Sequence, residues 1–394
     1  MIAQYFPPAG GVGSFRVTKF VKYLRHFDWE PVVLTVREDC YPGSVWLDHD
    51  LERDIPVGVR IYRTPIWRSK IINDVGIRWL PFLIPALIKV IHKERPQVVY
   101  FTGGPFFPLI AGPIIKLLFR LPFVVDLRDP WRLARRVTPA KGIKGRLGRW
   151  LTNLFEPFVI RHALRVICVS KPMCDEYREA YKNLPSCRFV IITNGFDPED
   201  FVTVDPVNFP NPTIVYAGKF RISEGFRDPT PFFEALKLVR ERGYEYRFLH
   251  VGRFEQEIAD LASQVGIRDL VEFVGPCSYR ETLRYVKGAN LVLLIGTGQR
   301  TEQTTKIFDY IGCGKPVLAL ASKHGELARI ANEIPLIRLV SDRSPEAIAS
   351  ALEEFRLGVW GSYRDSHRNT LQKYHRRYLT GELANVLDRA SLRE

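Results

Sequence analysis

The stretch Thr304-Thr305-Lys306-Ile307-Phe308-Asp309-Tyr310-Ile311-Gly312-Cys313-Gly314-Lys315-Pro316, followed by Val317-Leu318-Ala319-Leu320, decides the fold. It holds a loop, a short helix, a glycine stop and a buried-strand pattern, in that order. Immediately upstream, Leu291-Val292-Leu293-Leu294-Ile295 is an uninterrupted apolar run of the kind found in parallel strands covered on both faces. The loop Gly296 to Thr301 leaves that strand, and Thr304 or Thr305 is expected to cap the helix that follows. Ile307 and Ile311 share one helical face and turn Asp309 to another. Gly312 and Gly314 are read as the helix end, which Pro316 seals. A helix that starts at the carboxyl end of a parallel strand directs N–H groups and a positive dipole end at an anion. Lys306 would add a full charge there, and Asp309 could accept hydrogen bonds from sugar hydroxyls. In outline this is a site for a nucleoside diphosphate.

At 394 residues, 46% hydrophobic and 25% charged, the chain is globular and long enough for two domains. Its 57 basic and 43 acidic side chains give a net charge of +14, which favours an anionic partner. The six cysteines have no metal-type spacing and read as reduced thiols of a cytosolic protein. No signal peptide opens the chain, and no spanning helix is expected.

Working outward, Met1 to Phe6 reads as the end of a buried strand, which leads to the expectation that the biological frame begins a few codons upstream. A glycine-rich turn, Pro7 to Ser14, follows, and then an amphipathic helix over Phe15 to Phe27. Strands are predicted at Pro31–Val36, Val59–Tyr62, Val98–Phe101, Phe123–Asp126, Val166–Ser170 and Phe189–Ile192, with helical patterns between them. The loop Asn194 to Pro198 and the proline-rich segment Pro206 to Pro212 read as a linker. A second series runs through Thr213–Phe220, Tyr246–Val251, Val271–Val274, Leu291–Ile295 and Val317–Leu320, and Tyr363–Leu387 closes the chain as helix. The predicted architecture is α/β: two doubly wound domains facing across a cleft, residues 1–205 and 206–360, with C-terminal helices over 361–394 packing back on the first.

Between Arg128 and Arg165 stand ten Lys/Arg and two acids, Asp129 and Glu156, interleaved with Trp131, Trp150, Leu151, Leu154, Phe155 and Phe158. That mixture suits an anionic membrane surface, and equally a solvated face over ordinary core residues. The apolar stretches Trp79–Ile91 and Phe106–Phe119 read as buried helices.

Four places together carry a resemblance: Phe6-Pro7-Pro8 with Gly10, Gly11 and Gly13; Asp126-Leu127-Arg128-Asp129-Pro130-Trp131; Asn194-Gly195-Phe196-Asp197; and Lys306-Ile307-Phe308-Asp309-Tyr310 with Gly314-Lys315-Pro316-Val317. Over nearly its full length the chain resembles family 4 glycosyltransferases of the retaining GT-B type, most of all the bacterial cell-surface polysaccharide branch. The resemblance implies a nucleoside-diphosphate sugar in the second domain, at Gly218, Lys219, Glu302, Thr304, Thr305, Lys306 and Asp309. It implies a saccharide or lipid-linked acceptor in the first, around Gly10, Gly11, Gly13 and Arg16. Of the family's E-x7-E pair, Asp309 occupies the second position and Thr301 the first, with Glu302 one residue on. Lys219 matches the family's first phosphate-binding cation, while Glu224 stands where the second would be, leaving Lys306 or Arg221 to take its part. Catalytic roles fall to Asp129, Arg128, Lys219 and Lys306, without an obligatory metal or any cofactor. Asp48-His49-Asp50 has the spacing of a metal motif but lies in a loop.

Two other classes remain in view. An NAD-dependent oxidoreductase or nucleotide-sugar epimerase would use the amino-terminal glycines, although only Glu38 could hold a ribose after the second strand. Nucleic-acid binding would use the net charge, but no nucleic-acid motif is present. The expected setting is cytoplasmic, peripheral on the inner membrane face.

Overall fold

The computed structural model describes residues 1–43, 45–69, 71–133, 142–220, 227–360 and 368–392. Arg221 and Glu224 lie outside the described residues, as does Tyr363. The chain forms two compact units, Met1–Thr193 with Arg376–Glu394, and Asn194–His375.

The first unit carries strands β1 (Val32–Val36), β2 (Arg60–Thr64), β3 (Val99–Thr102), β4 (Phe123–Leu127), β5 (Arg165–Cys168) and β6 (Phe189–Ile191). All pairs are parallel, β1 with β2 and β3 through β6 in sequence order. Ile2 bridges Leu34 of β1 and Phe101 of β3, so the amino-terminal residues knit the two ribbons into one doubly wound sheet. Alternation sorts the strands onto two faces. Phe101, Phe123, Val125 and Val166 meet the helices Val75–Glu94, Ala111–Phe119, Gly142–His162 and Lys171–Ala180. Tyr100, Val124 and Ile167 meet Val12–Leu24 and the last helix, Arg376–Ser391.

The helix Val75–Glu94 is long and apolar enough to cross a membrane by length and composition. Its Trp79, Leu83, Leu87 and Ile91, four residues apart, are buried in the first unit's core, and Trp79 Nε1 donates to Thr64 Oγ1 at 2.7 Å. That stripe is how a core helix packs.

The second unit carries β7 (Thr213–Ala217), β8 (Arg247–Val251), β9 (Val271–Gly275), β10 (Leu291–Ile295), β11 (Val317–Leu320) and β12 (Ile337–Val340). They form one six-stranded sheet in the order β12-β11-β10-β7-β8-β9, all parallel. The order reverses between β7 and β10, the switch point at which such sheets bind ligands. Val215, Val292 and Val317 face the helices Tyr279–Gly288, Lys306–Gly312 and Glu326–Glu333. Ile214, Leu293 and Leu318 face Thr230–Glu241, Gln256–Val265 and Pro345–Arg356.

Four expectations are revised. The first helix begins at Val12, so Gly13 and Ser14 lie inside it. Asn194 to Asp205 counts with the second unit and is more than a linker. Phe196 and Phe201 are buried in that unit's core, and Phe196 N–H donates to the Tyr374 carbonyl at 3.0 Å. The short helix Arg368–Gln372 also belongs to the second unit, and only from Arg376 does the chain count with the first. Strand β12 went unread because Arg338 interrupts its apolar run at the sheet edge.

Candidate functional site

In the second unit, the turn after β7 is the floor of the site. Gly218 has φ +115, and its N–H donates to the Val251 carbonyl at 2.8 Å. Two aromatic side chains pin the turn's carbonyls. His250 Nε2 meets the Gly218 oxygen at 2.6 Å, and Tyr216 donates its hydroxyl to the Lys219 oxygen at 2.8 Å. Tyr216 itself is clamped by Phe220, stacked at 4.1 Å between ring centroids. The Lys219 side chain is exposed.

Lys306 reaches this floor from the other side of the switch point. Its ammonium donates to the Tyr216 oxygen at 3.2 Å and lies 4.3 Å from the Tyr216 ring centroid. A Cβ placed on Gly218 would stand 2.7 Å from Lys306 Cε and closer still to Nζ. The absence of a side chain at Gly218 is therefore what lets the cation lie against the turn. Burial is the main cause that lowers the His250 imidazole below its usual range, and the Lys306 charge acts in the same direction. A neutral His250 with its proton on Nε2 fits the bond to Gly218.

The helix carrying Lys306 spans Lys306–Gly312. Thr305 stands at its cap position but in helical conformation, and its side chain makes no capping bond, contrary to expectation. Instead the helix is anchored by the burial of Ile307, Phe308 and Ile311, and by Tyr310, whose hydroxyl oxygen accepts from Ala217 N–H at 3.2 Å. Gly312 is the last residue of the helix. A Cβ there would meet Phe201 at 2.5 Å, so this glycine gives room to a core aromatic. Gly314, at φ +67, makes the stop, its N–H donating to the Ile311 carbonyl at 3.0 Å.

Asp309, one turn into the helix, accepts from the Tyr279 hydroxyl at 2.8 Å. Burial first, and then the Asp309 charge, pushes the Tyr279 hydroxyl well up, so it stays a donor. No sequence spacing pointed to Tyr279. Glu302 organises the loop after β10: Oε2 accepts from Thr297 N–H at 2.6 Å and from its hydroxyl at 2.8 Å, and Oε1 accepts from Arg227 at 3.0 Å. Arg227 also donates to the Ile295 carbonyl at 3.1 Å and was likewise unread. Thr304 and Thr305 are half-buried beside these groups in the chain.

In the first unit, Arg16 is no surface ligand. It is buried, with Nε and Nη2 on the Asp126 carboxylate at 2.7 and 3.0 Å and further bonds to the carbonyls of Ile192 and Thr193. Burial opposes its charge, and Asp126 outweighs that cost. Tyr100 donates to the same carboxylate. The expected acceptor contact at Arg16 is thus replaced by a buried strut between the first helix and the sheet. Arg128, half-buried, spends its guanidinium on the carbonyls of Gly103, at 2.8 Å, Gly104 and Val12. Gly13 leaves room for that guanidinium and for Tyr5, and Gly10 N–H donates to the Trp46 carbonyl at 2.7 Å. These two glycines accommodate their own chain, which withdraws the ground for reading them as a dinucleotide fingerprint. Gly11, at φ +90, has open space where a Cβ would stand, and Asp129 is exposed on the loop after β4.

Two family models match in tandem: Glycosyltransferase Family 4 over residues 9–200 and Glycosyl transferases group 1 over residues 211–356. No curated protein matches significantly. Among solved structures, sucrose-phosphate synthase from Thermosynechococcus elongatus is 17% identical with a TM-score of 0.70, covering 100% of this chain and 98% of its own. Anabaena HepE, solved with UDP and glucose, is 15% identical with a TM-score of 0.63, covering 98% of each chain. A putative UDP-N-acetylglucosamine 2-epimerase from Listeria monocytogenes is 14% identical with a TM-score of 0.63, covering 100% of this chain and 97% of its own. The fold is therefore common to transferases and epimerases, and the two family models decide between them.

Proposed function

Since the chain belongs to the family 4 glycosyltransferases of the GT-B fold, we propose that it transfers a hexosyl group from a nucleoside-diphosphate sugar, with retention of configuration. The acceptor we propose is a saccharide or lipid-linked glycan of the cell surface, met at the cytoplasmic face of an anionic membrane. No cofactor or obligatory metal enters the proposal, and no nucleic acid. The observation that carries it is the Lys306 ammonium laid against the Gly218 turn at the switch point of the second unit.

Breaking the anomeric C–O bond leaves negative charge on the β-phosphate while the sugar becomes cationic. A lysine already held by Tyr216, over a turn pinned by His250, needs no reorganisation to meet that charge. It therefore stabilises the transition state more than the ground state. Lys219, exposed on the same turn, can reach the diphosphate from the solvent side. Asp309, oriented by Tyr279, is the carboxylate proposed to receive the ribose hydroxyls. Glu302 and Arg227 fix the loop after β10, with Thr304 and Thr305 following it in the chain. In retaining transfer without a covalent nucleophile, the departing phosphate oxygen takes the acceptor's proton on the face it leaves. Asp129 and Arg128 are proposed to act on the acceptor side, Arg128 by holding the Gly103–Gly104 loop and the Val12 carbonyl at the start of the first helix, and Asp129 by its exposed carboxylate in the same unit as Gly10, Gly11 and Gly13.

Nucleotide sugars screened by thermal denaturation test the reading. The correct donor at 100 times its dissociation constant stabilises the fold by about 2.7 kcal/mol, and with acceptor it releases nucleoside diphosphate and a product of unchanged anomeric configuration by NMR. Inversion at that carbon would refute retention. Epimerisation of a UDP-sugar without acceptor would favour the epimerase reading instead.

A further inference from the structure

The helix Gly142–His162 has two apolar faces, and only one of them is used. Val159 and Ile160 point into the first unit's core. Leu147, Trp150, Leu154 and Phe158 are between 42% and 60% exposed. At 100° per residue these four fall within an arc of about 80°, a continuous stripe where a surface helix ordinarily carries polar groups. Arg146 and Arg149 are exposed in the same stretch of helix, Arg146 about 40° from the edge of the stripe and Arg149 about 100° from it. The helix Ala111–Phe119 packs beside it, Lys116 Nζ donating to the His162 carbonyl at 2.8 Å, and adds Leu117 and Leu118, 83% and 58% exposed.

The charge on this surface has one sign. Glu156 is the single acid in the two helices. It is fully buried, accepting from the hydroxyls of Tyr181 at 2.7 Å and Tyr177 at 3.2 Å, and from Arg132 Nε at 3.1 Å. At that pitch it lies about 180° from Leu147, on the inward side. What remains outside in these two helices carries no acid. Two copies joined through this stripe would bring two surfaces of like charge together with no acid from these helices to pair them, which argues against self-association.

We propose that the stripe Leu147, Trp150, Leu154 and Phe158, with Arg146 and Arg149, is a docking face for an anionic lipid bilayer. The helix lies in the headgroup plane with the stripe in the acyl boundary and the arginines on lipid phosphates. The face serves the lipid-linked acceptor proposed above and rests on that reading for its purpose alone.

Co-sedimentation with vesicles tests it, using phosphatidylcholine alone and phosphatidylcholine with about a third phosphatidylglycerol. The wild-type protein is expected to sediment with the anionic vesicles, to stay in the supernatant when the vesicles are neutral, and to be released as salt rises well above ~0.15 M. R146Q/R149Q weakens binding by about 5-fold for each arginine, and W150S/L154S by about 10-fold or more. Both variants keep the wild-type melting curve, since the altered side chains are exposed. Absence of wild-type binding to anionic vesicles, or W150S/L154S binding as the wild type does, would overturn the proposal. So would lipid-free dimerisation that W150S/L154S abolishes. Donor-induced thermal stabilisation reads the transferase proposal separately: if it is missing while vesicles bind, the docking face stands and the donor reading fails.

Discussion

Replacing Gly218 by alanine separates backbone strain from the placement of the catalytic cation. The residue has φ +115, outside the range that L side chains readily adopt, and enforcing that conformation on alanine costs on the order of 1–3 kcal/mol. The new methyl group would also stand 2.7 Å from Lys306 Cε. That second conflict is cheap in stability, because the far end of a lysine chain moves aside by rotating about its own bonds. Its cost falls on function, as the ammonium leaves Tyr216 and the turn it lies against. Gly218→Ala should therefore lower stability by about 1–3 kcal/mol and turnover by about 10²-fold, the loss of one preorganised donor. In a Lys306→Ala background the same substitution should cost the same stability and little further turnover, since the group it displaces is gone. Urea denaturation and steady-state kinetics on the four proteins of this cycle give both quantities. Additive losses of turnover would refute the coupling, and unchanged stability in Gly218→Ala would refute the strain.

Arg16→Met should destabilise the first unit by about 3–5 kcal/mol, because it leaves Asp126 charged and buried, while R16M/D126L should recover much of that loss; denaturation midpoints of the two variants check this. Tyr279→Phe removes the bond to Asp309 and should weaken donor affinity by about 1–2 kcal/mol with a smaller effect on turnover, read by calorimetric titration of the nucleoside diphosphate. The lowered His250 pKa makes the neutral imidazole the native form. Its contribution to stability is present above the unfolded value near 6.5 and is lost as pH falls through the folded value. The wild type should thus lose stability below about pH 6.5 more steeply than His250→Gln, and parallel melting-temperature profiles for the two would contradict it.

Much of the fold was legible because buried parallel strands are continuous apolar runs. Leu291–Ile295 and Val317–Leu320 are β10 and β11 to the residue. β12 was hidden because it lies at the edge, where Arg338 is exposed to solvent and breaks the run. The start of the first helix was obscured by glycine and serine, which read as turn although Ser14 is buried in its opening turn. Within the site, Lys306 and Asp309 stood out through local spacing on one short helix. Of their partners only Gly218 was named, through the family resemblance, since Tyr216 and Tyr279 are brought to them by the fold from far away in the chain. Arg16 misled for the same reason. Asp126, 110 residues on, turns an apparent ligand into a strut, and no local pattern encodes that pair. The exposed stripe on Gly142–His162 was half legible: its composition was visible, but two readings stayed open until the exposures of Trp150 and Leu154 were known.

Steady-state kinetics of Lys306→Ala test the central claim most directly, with circular dichroism establishing that the variant is folded. If Lys306 acts on charge that develops at the diphosphate, turnover should fall by about 10²-fold or more while donor affinity changes far less. A folded Lys306→Ala enzyme with wild-type turnover would contradict the account.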